Sequence, residues 1–248
     1  MLLAFDFDGT LAPIVADPQT AIADPRAVRL LSELSRVVRA VAVISGRDLA
    51  FLAGRLPVDR LLLIGNHGLE ALEQGQSQVV DEATPYLDPL ARAAIAIAQL
   101  PVMRSTGARL ERKRATLAVH VRGTTDPAAA TARLQSPLQQ IARDQGLELK
   151  PGRLVLELRP PIPVDKGEVL RRLVQESGAR AVLYAGDDWT DADAFRALER
   201  LATAGVQTVA VGVRSAEVPD DAFVDCDLVV DGVEGVIALL QELRDRFR

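Results

Sequence analysis

The sequence is short of the features that would tie it to a special compartment or a large charged partner. It has a single cysteine, Cys226, which cannot close an internal disulfide, so nothing in the chain calls for oxidising surroundings. It has no basic excess: 29 Lys and Arg stand against 34 Asp and Glu, a net charge of −5. That balance excludes a general nucleic-acid binder and is too mild for an acidic tail. No apolar run approaches the length that spans a bilayer, so no membrane attachment is expected. The opening Met1-Leu2-Leu3-Ala4-Phe5 ends at once in Asp6, with no basic residues before it and no cleavage-like site after it, which reads as a cytoplasmic chain. Internal repeats and low-complexity tracts are missing too. Lysine is scarce, with only Lys113, Lys150 and Lys166 among the basic residues. A chain that otherwise writes arginine keeps lysine where a compact ammonium does what a guanidinium cannot.

What remains is an ordinary globular composition, 48% hydrophobic and 25% charged over 248 residues, enough for one large domain or two modest ones. The first third alternates buried-strand runs (Leu2 to Phe5, Val41 to Ser45, Leu61 to Gly65) with helical patterns. The first helix is expected from Pro25 to Arg39, with Asp24 as N-cap and Val28, Leu31, Leu34 and Val38 at helical spacing. A shorter one follows Arg47. The last third has the same alternation, with strands at Ala181 to Ala185, Thr208 to Val211 and Leu228 to Val230, and helices over Lys166 to Glu176, Asp191 to Leu201 and Val233 to Arg246. This order predicts an α/β fold with a parallel sheet covered on both faces. The middle differs. Ala108 to Lys113, Leu117 to Arg122, Leu147 to Lys150 and Leu154 to Arg159 alternate with period two, Pro151-Gly152 reads as a turn, and a helix is expected over Pro127 to Asp144. The expected organisation is a core of residues 1–100 and 162–248, interrupted by an α+β module at 101–161.

Four motifs carry chemistry. Asp6-Phe7-Asp8-Gly9-Thr10 ends the first strand, so its two carboxylates fall on one side of the chain at the carboxyl end of a parallel sheet, where open α/β sheets bind ligands. One can act as nucleophile and metal ligand while the other handles protons. Gly186-Asp187-Asp188-Trp189-Thr190-Asp191 follows another buried strand and offers hard oxygen ligands suited to Mg²⁺, although Asp191 fits equally as an N-cap. Ser45, in Ile44-Ser45-Gly46-Arg47, could donate to a phosphoryl oxygen, though Ser-Gly after a strand is mostly a turn. Lys166 opens a helix, where the dipole favours anions, and makes sense if a phosphate or carboxylate stands before it.

In this order the four motifs resemble the haloacid-dehalogenase (HAD) superfamily of phosphotransferases. The resemblance implies a Rossmann-like HAD core with an inserted cap domain. It also implies that Asp6 attacks phosphorus, Asp8 protonates the leaving oxygen and then activates water, and Ser45 and Lys166 hold phosphoryl oxygens. Mg²⁺ would be bound by Asp6, Asp187 and the backbone carbonyl of Asp8. The two carboxylates of the first motif should then titrate apart, one held ionised by the metal.

In the middle module Leu117, Val119 and Val121 alternate with His120 and Arg122, and Leu154, Leu156 and Leu158 with Val155, Glu157 and Arg159. The charged parity is either a solvated sheet face or a cap face that meets a sugar; the pattern leaves both open. Further stretches, Gly65-Asn66-His67-Gly68-Leu69-Glu70, Glu111-Arg112-Lys113 through His120-Val121-Arg122, and Glu157-Leu158-Arg159-Pro160, resemble the trehalose-6-phosphate phosphatases. That resemblance implies a hydrolase of trehalose biosynthesis acting on a small sugar phosphate, with Glu111, Lys113 and Glu157 on the distal glucose. Arg47, Asn66 and His67 would lie nearer the phosphate, and His120 among the substrate-binding residues. Val121 stands where that family often has an aromatic residue and Ala192 where it often has an acid. His67 also fits a plain turn, and a monomer is compatible with the pattern. Other readings are a phosphatase for sucrose 6-phosphate or mannosyl-3-phosphoglycerate, a phosphomutase, and a catalytically silent sugar-phosphate sensor.

Overall fold

A computed structural model describes residues 1–15, 17–73, 76–152, 154–188, 191–215 and 223–247 of the chain. Trp189 and Thr190 of the second acidic motif lie outside the described residues. The chain forms two compact units, Met1–Ser77 with Val164–Arg248, and Gln78–Pro163.

The first unit begins with β1 (Leu2–Phe5), α1 (Pro25–Leu34), β2 (Ala40–Ile44), α2 (Leu49–Arg55), β3 (Leu61–Gly65), β4 (Glu70–Glu73) and β5 (Gln76–Val79). Asp24 caps α1 by accepting the Arg26 N–H, with Pro25 at the first helical position, as the sequence pattern predicts. The helix stops at Leu34, short of the expected Arg39, and β2 starts at Ala40.

The second unit runs through α3 (Leu87–Gln99), α4 (Pro101–Thr106), β6 (Arg109–Arg112), β7 (Leu117–His120), α5 (Pro127–Asp144), β8 (Glu148–Gly152) and β9 (Val155–Arg159). Its antiparallel sheet has the order β6-β7-β9-β8. The inserted unit starts earlier than the expected residue 101, because α3 packs Leu90, Ala93, Ala94 and Ile97 into the same apolar cluster as Leu117, Val119, Leu134, Leu138, Leu156 and Leu158. Pro151 and Gly152 are not the expected turn. They lie in β8, where Pro151 pairs with Leu156 and Gly152 with Val155. A proline is tolerated there because β8 is an edge strand.

The chain returns to the first unit with α6 (Lys166–Ser177), β10 (Ala181–Gly186), α7 (Ala192–Thr203), β11 (Gln207–Arg214), β12 (Leu228–Asp231) and α8 (Gly232–Arg246). The sheet order is β12-β11-β10-β1-β2-β3-β4-β5. Pairing is parallel from β12 to β3, and β4 joins antiparallel. Alternation along each strand feeds two cores. Leu3, Phe5, Val41 and Val43 pack with residues of α1, α2 and α8. Leu2, Ala4, Ala42, Ile44, Val182 and Tyr184 pack with residues of α6 and α7. Burial of both faces explains why these strands read as continuous apolar runs. In the parallel part the carboxyl ends of β10, β1, β2 and β3 stand side by side, and each is followed at once by a residue of the candidate site.

Candidate active site

Asp6 follows β1 directly, and its backbone N–H donates to the Ala185 carbonyl at 2.9 Å, so the strand pairing holds it one residue past Phe5. Asp187 follows β10 in the same way. Lys166, the first residue of α6, lies with its Nζ 2.9 Å from Asp6 Oδ1 and 2.7 Å from Asp191 Oδ1. All four side chains are buried. The cation that stands against the helix dipole thus faces two carboxylates.

Asp191 does not serve as the N-cap that its position suggests, since its side chain makes no capping bond to α7. It turns inward and accepts from Lys166 Nζ, from the Tyr184 hydroxyl and from the Asp188 N–H. Gly186 leaves the space for it: a Cβ there would lie 2.3 Å from Asp191 Cγ. Tyr184 belongs to the site although none of the four motifs contains it. A signal for it exists, because a tyrosine inside the apolar run Ala181–Gly186 must bury its hydroxyl against a partner.

Asp6, Asp187 and Asp191 present carboxylate oxygens that all lie within 4.8 Å of one another. Burial, with the Asp6 and Asp191 carboxylates adding to it, pushes Asp187 up to about 9. Burial also lifts Asp6 to about 7, against the opposing pull of the Lys166 ammonium. Burial works against the Lys166 charge, yet Asp191 and Asp6 together outweigh it and raise that group above the usual lysine range. One ammonium, in contact with two of the three acids, cannot balance all three once they are ionised. An all-oxygen donor set of this kind fits a hard divalent cation such as Mg²⁺. Asp6 and Asp187 are the residues that would hold it, since Asp191 is already engaged by Lys166 and Tyr184.

The Asp8 carboxylate is not part of that cluster. It forms a two-pronged pair with Arg47, whose Nε and Nη2 each donate at 2.7 Å. Its side chain is 36% exposed, so solvent reaches it. Ser45, just past β2, is buried and its Oγ accepts the Arg47 N–H at 3.3 Å. Its carbonyl accepts the His67 N–H at 2.9 Å, and the Arg47 carbonyl accepts the Asn66 N–H at 2.7 Å. These bonds stitch the loop after β2 to the loop after β3. Asn66 and His67 both have positive φ, 48° and 56°, a strained pair of conformations for side-chain-bearing residues. The His67 ring lies over Gly46, where a Cβ would come within 2.6 Å of its Nε2. His67 therefore makes the turn and also stands beside the Ser45 loop.

In the second unit, Lys113 on the segment after β6 reaches Glu157 of β9, with Nζ 3.2 Å from Oε1. Thr116 donates to the same oxygen at 3.0 Å. His120 Nε2 lies 2.7 Å from Glu111 Oε2 across the β6–β7 pair. On the charged parity of these strands Lys113 with Glu157 and His120 with Glu111 thus form two partly buried pairs, while Arg109 is exposed.

Comparison with solved structures gives the fold its class. A haloacid dehalogenase-like hydrolase from Bacteroides thetaiotaomicron superposes with a TM-score of 0.63, covering 98% of both chains at 17% identity; the fold is the HAD-like one. A trehalose-6-phosphate phosphatase related protein is more similar, with a TM-score of 0.81, 25% identity, and 99% of this chain and 98% of that chain covered. The sequence profile of the trehalose-phosphatase family matches residues 4–227. A trehalose-phosphate phosphatase from Mycobacterium marinum is 34% identical over 88% of this chain. The chain belongs to the trehalose-phosphatase family. It spans about half the length of the Mycobacterium marinum relative and 15% of the length of a glycosyl hydrolase from Mycobacterium tuberculosis to which it is 39% identical. Among the described residues, no helix is long and apolar enough to cross a membrane.

Proposed function

We propose that the chain hydrolyses trehalose 6-phosphate to trehalose and inorganic phosphate through a phospho-aspartate on Asp6. The observation that carries this reading is the buried Asp6, held by Lys166 and flanked by Asp187 in a cluster of three acids around one ammonium. Membership of the trehalose-phosphatase family supports trehalose 6-phosphate as the substrate.

In the first step a carboxylate oxygen of Asp6 attacks phosphorus, and the bond from phosphorus to the sugar oxygen breaks. Asp8 gives that oxygen its proton, so the sugar leaves as an alcohol. In the second step Asp8 takes a proton from water as the water attacks the phosphorus of the acyl phosphate. The bond to Asp6 then breaks, and its carboxylate is restored. Lys166 and Ser45 donate to the phosphoryl oxygens throughout, and Arg47, Asn66 and His67 belong to the phosphate side. Asp6, Asp187 and the Asp8 carbonyl would hold Mg²⁺, which would neutralise the charge spread over the transferring group. The assignment of sugar selection falls to Glu111, Lys113, His120 and Glu157, since paired carboxylates and an ammonium suit the hydroxyls of a neutral disaccharide. A small sugar phosphate is the only partner this chemistry needs, and the chain's single cysteine suits the cytoplasm.

The test is phosphate release from trehalose 6-phosphate, sucrose 6-phosphate, glucose 6-phosphate and mannosyl-3-phosphoglycerate, with Mg²⁺ present and then chelated. Strong preference for trehalose 6-phosphate, lost in chelator, is the expected outcome. Release from another member of the panel moves the substrate and keeps the chemistry, and release that persists in chelator removes the metal from it.

A further inference from the structure

Phe51 lies in the third position of α2, outside all four motifs, yet its ring meets both the arginine that holds the proposed proton carrier and the residue that precedes that carrier in the chain. The Arg47 guanidinium carbon stands 4.6 Å from the centre of the ring. Arg47 in turn holds Asp8 by two charge-assisted hydrogen bonds. The ring of Phe7, the residue between Asp6 and Asp8, meets Phe51 edge to face at 5.7 Å and 88°. A second guanidinium, that of Arg55, lies 4.4 Å from the same ring centre. Arg55 is itself tied to the backbone carbonyls of Gln19 and Ala21 at 2.9 and 3.2 Å. The backbone of Phe51 is fixed as well, by its N–H on Asp48 Oδ1 at 2.7 Å.

Two arginines on one ring are unusual for a core position. Each guanidinium gains from the face of an aromatic ring, and the flat ion is then kept from swinging about its long side chain. Arg47 is the one that matters for chemistry, because the Asp8 carboxylate is over a third exposed and the Arg47 fork is what fixes its direction. A fork of two hydrogen bonds fixes direction only if the fork is itself held.

We infer that Phe51 is a positioning residue: by seating Arg47 and Phe7 it sets the direction in which Asp8 delivers its proton to the departing sugar oxygen. This rests on the functional reading above. It separates Phe51 from an ordinary core side chain, which would support the fold without favouring one leaving group over another.

The experiment compares two substrates in single turnover, following alcohol release from trehalose 6-phosphate and from p-nitrophenyl phosphate. A sugar alkoxide needs a proton as it departs, whereas nitrophenolate leaves without one. In Phe51→Leu the ratio of sugar to aryl release should fall about tenfold or more, a fraction of what a well-placed general acid contributes. Phe51→Tyr, which keeps the ring, should restore the ratio. If both rates fall together, or neither changes, Phe51 is only a core residue and the inference is overturned. Should Phe51→Leu not fold, Phe51→Met fills a similar volume without a ring and is read in the same way. A wild-type protein that releases nitrophenol but none of the sugar alcohols marks failure of the functional reading itself, and the role of Phe51 falls with it.

Discussion

Gly9 and Asp187 compete for one space. A Cβ on residue 9 would lie 2.0 Å from Asp187 Oδ2, and the residue has a φ of 75°. Glycine is therefore required twice, once for the left-handed turn and once to admit the carboxylate.

Gly9→Ala is expected to lose about 1–2 kcal/mol from the backbone conformation alone, and to displace Asp187 as well. Thermal denaturation should show a lower Tm, and phosphate release should fall at least about tenfold. A variant with the wild-type Tm and rate would show that Asp187 has room elsewhere and does not matter where it is.

Lys166→Met removes the ammonium and leaves Asp6 and Asp191 buried with no counter-charge. Breaking such a pair costs about 3–5 kcal/mol at pH values where the acids are ionised. The sign with pH is set by the acids. Burial holds Asp6 above the ordinary carboxylate range and the Lys166 ammonium opposes that rise, so without the ammonium the protonated form of Asp6 is favoured further in the folded chain and stability is lost as pH rises. The Tm deficit of the variant should thus grow between about pH 5 and about pH 8. A deficit that is flat across that window would mean the two carboxylates find other partners.

The raised acids also bear on Mg²⁺. Asp6 at about 7 and Asp187 at about 9 both lie above the ordinary value of 3.8. Stability from these groups in the metal-free chain is therefore fully present below 3.8 and declines as pH climbs through 7 and 9. A divalent cation takes the ionised form and offsets that decline. The rise in Tm on adding Mg²⁺ should be larger at about pH 8.5 than at about pH 6. Equal shifts at both would place the cation away from these acids.

Glu157→Gln keeps an oxygen for the Thr116 hydroxyl and removes the charge facing Lys113. On the proposal that Glu157 selects the sugar, kcat/KM for trehalose 6-phosphate should drop by about 10- to 100-fold, the cost of mispairing a buried polar contact to substrate. The rate on p-nitrophenyl phosphate should change far less. Equal losses on both substrates would remove the sugar-binding role from Glu157.

The sheet and its site are legible in the sequence because strands buried on both faces leave long apolar runs, and each run ends in a residue with no apolar reason to be there: Asp6, Ser45, Asn66, Asp187. The helix α5 is legible to the residue, since Asp126 and Pro127 mark its start. Other elements are not. The helix α3 goes unread although Leu90, Ala93, Ala94 and Ile97 fall at helical spacing, because alanines make up half of that stripe and the exposed Ile95 blurs its edge. The turn between β8 and β9 is expected one pair too early because Pro-Gly is a strong local signal, yet an edge strand can carry both residues. At the site, the residue types and their order are readable, but their pairing is not. That Asp191 faces Lys166, or that Asp8 is held by Arg47 over the Phe51 ring, depends on which side chains the sheet ends bring together from far apart in the chain. Local pattern carries no trace of that.

The most direct test is to mix the protein with trehalose 6-phosphate and Mg²⁺, quench in acid within a turnover, and locate any phosphoryl group by peptide mass. The expected result is a phosphoryl group on the peptide bearing Asp6, absent in Asp6→Asn, which should also lose turnover while melting as a folded protein. Phosphate release from the wild type with no phosphoryl group trapped, together with retained release by Asp6→Asn, would contradict a nucleophilic Asp6.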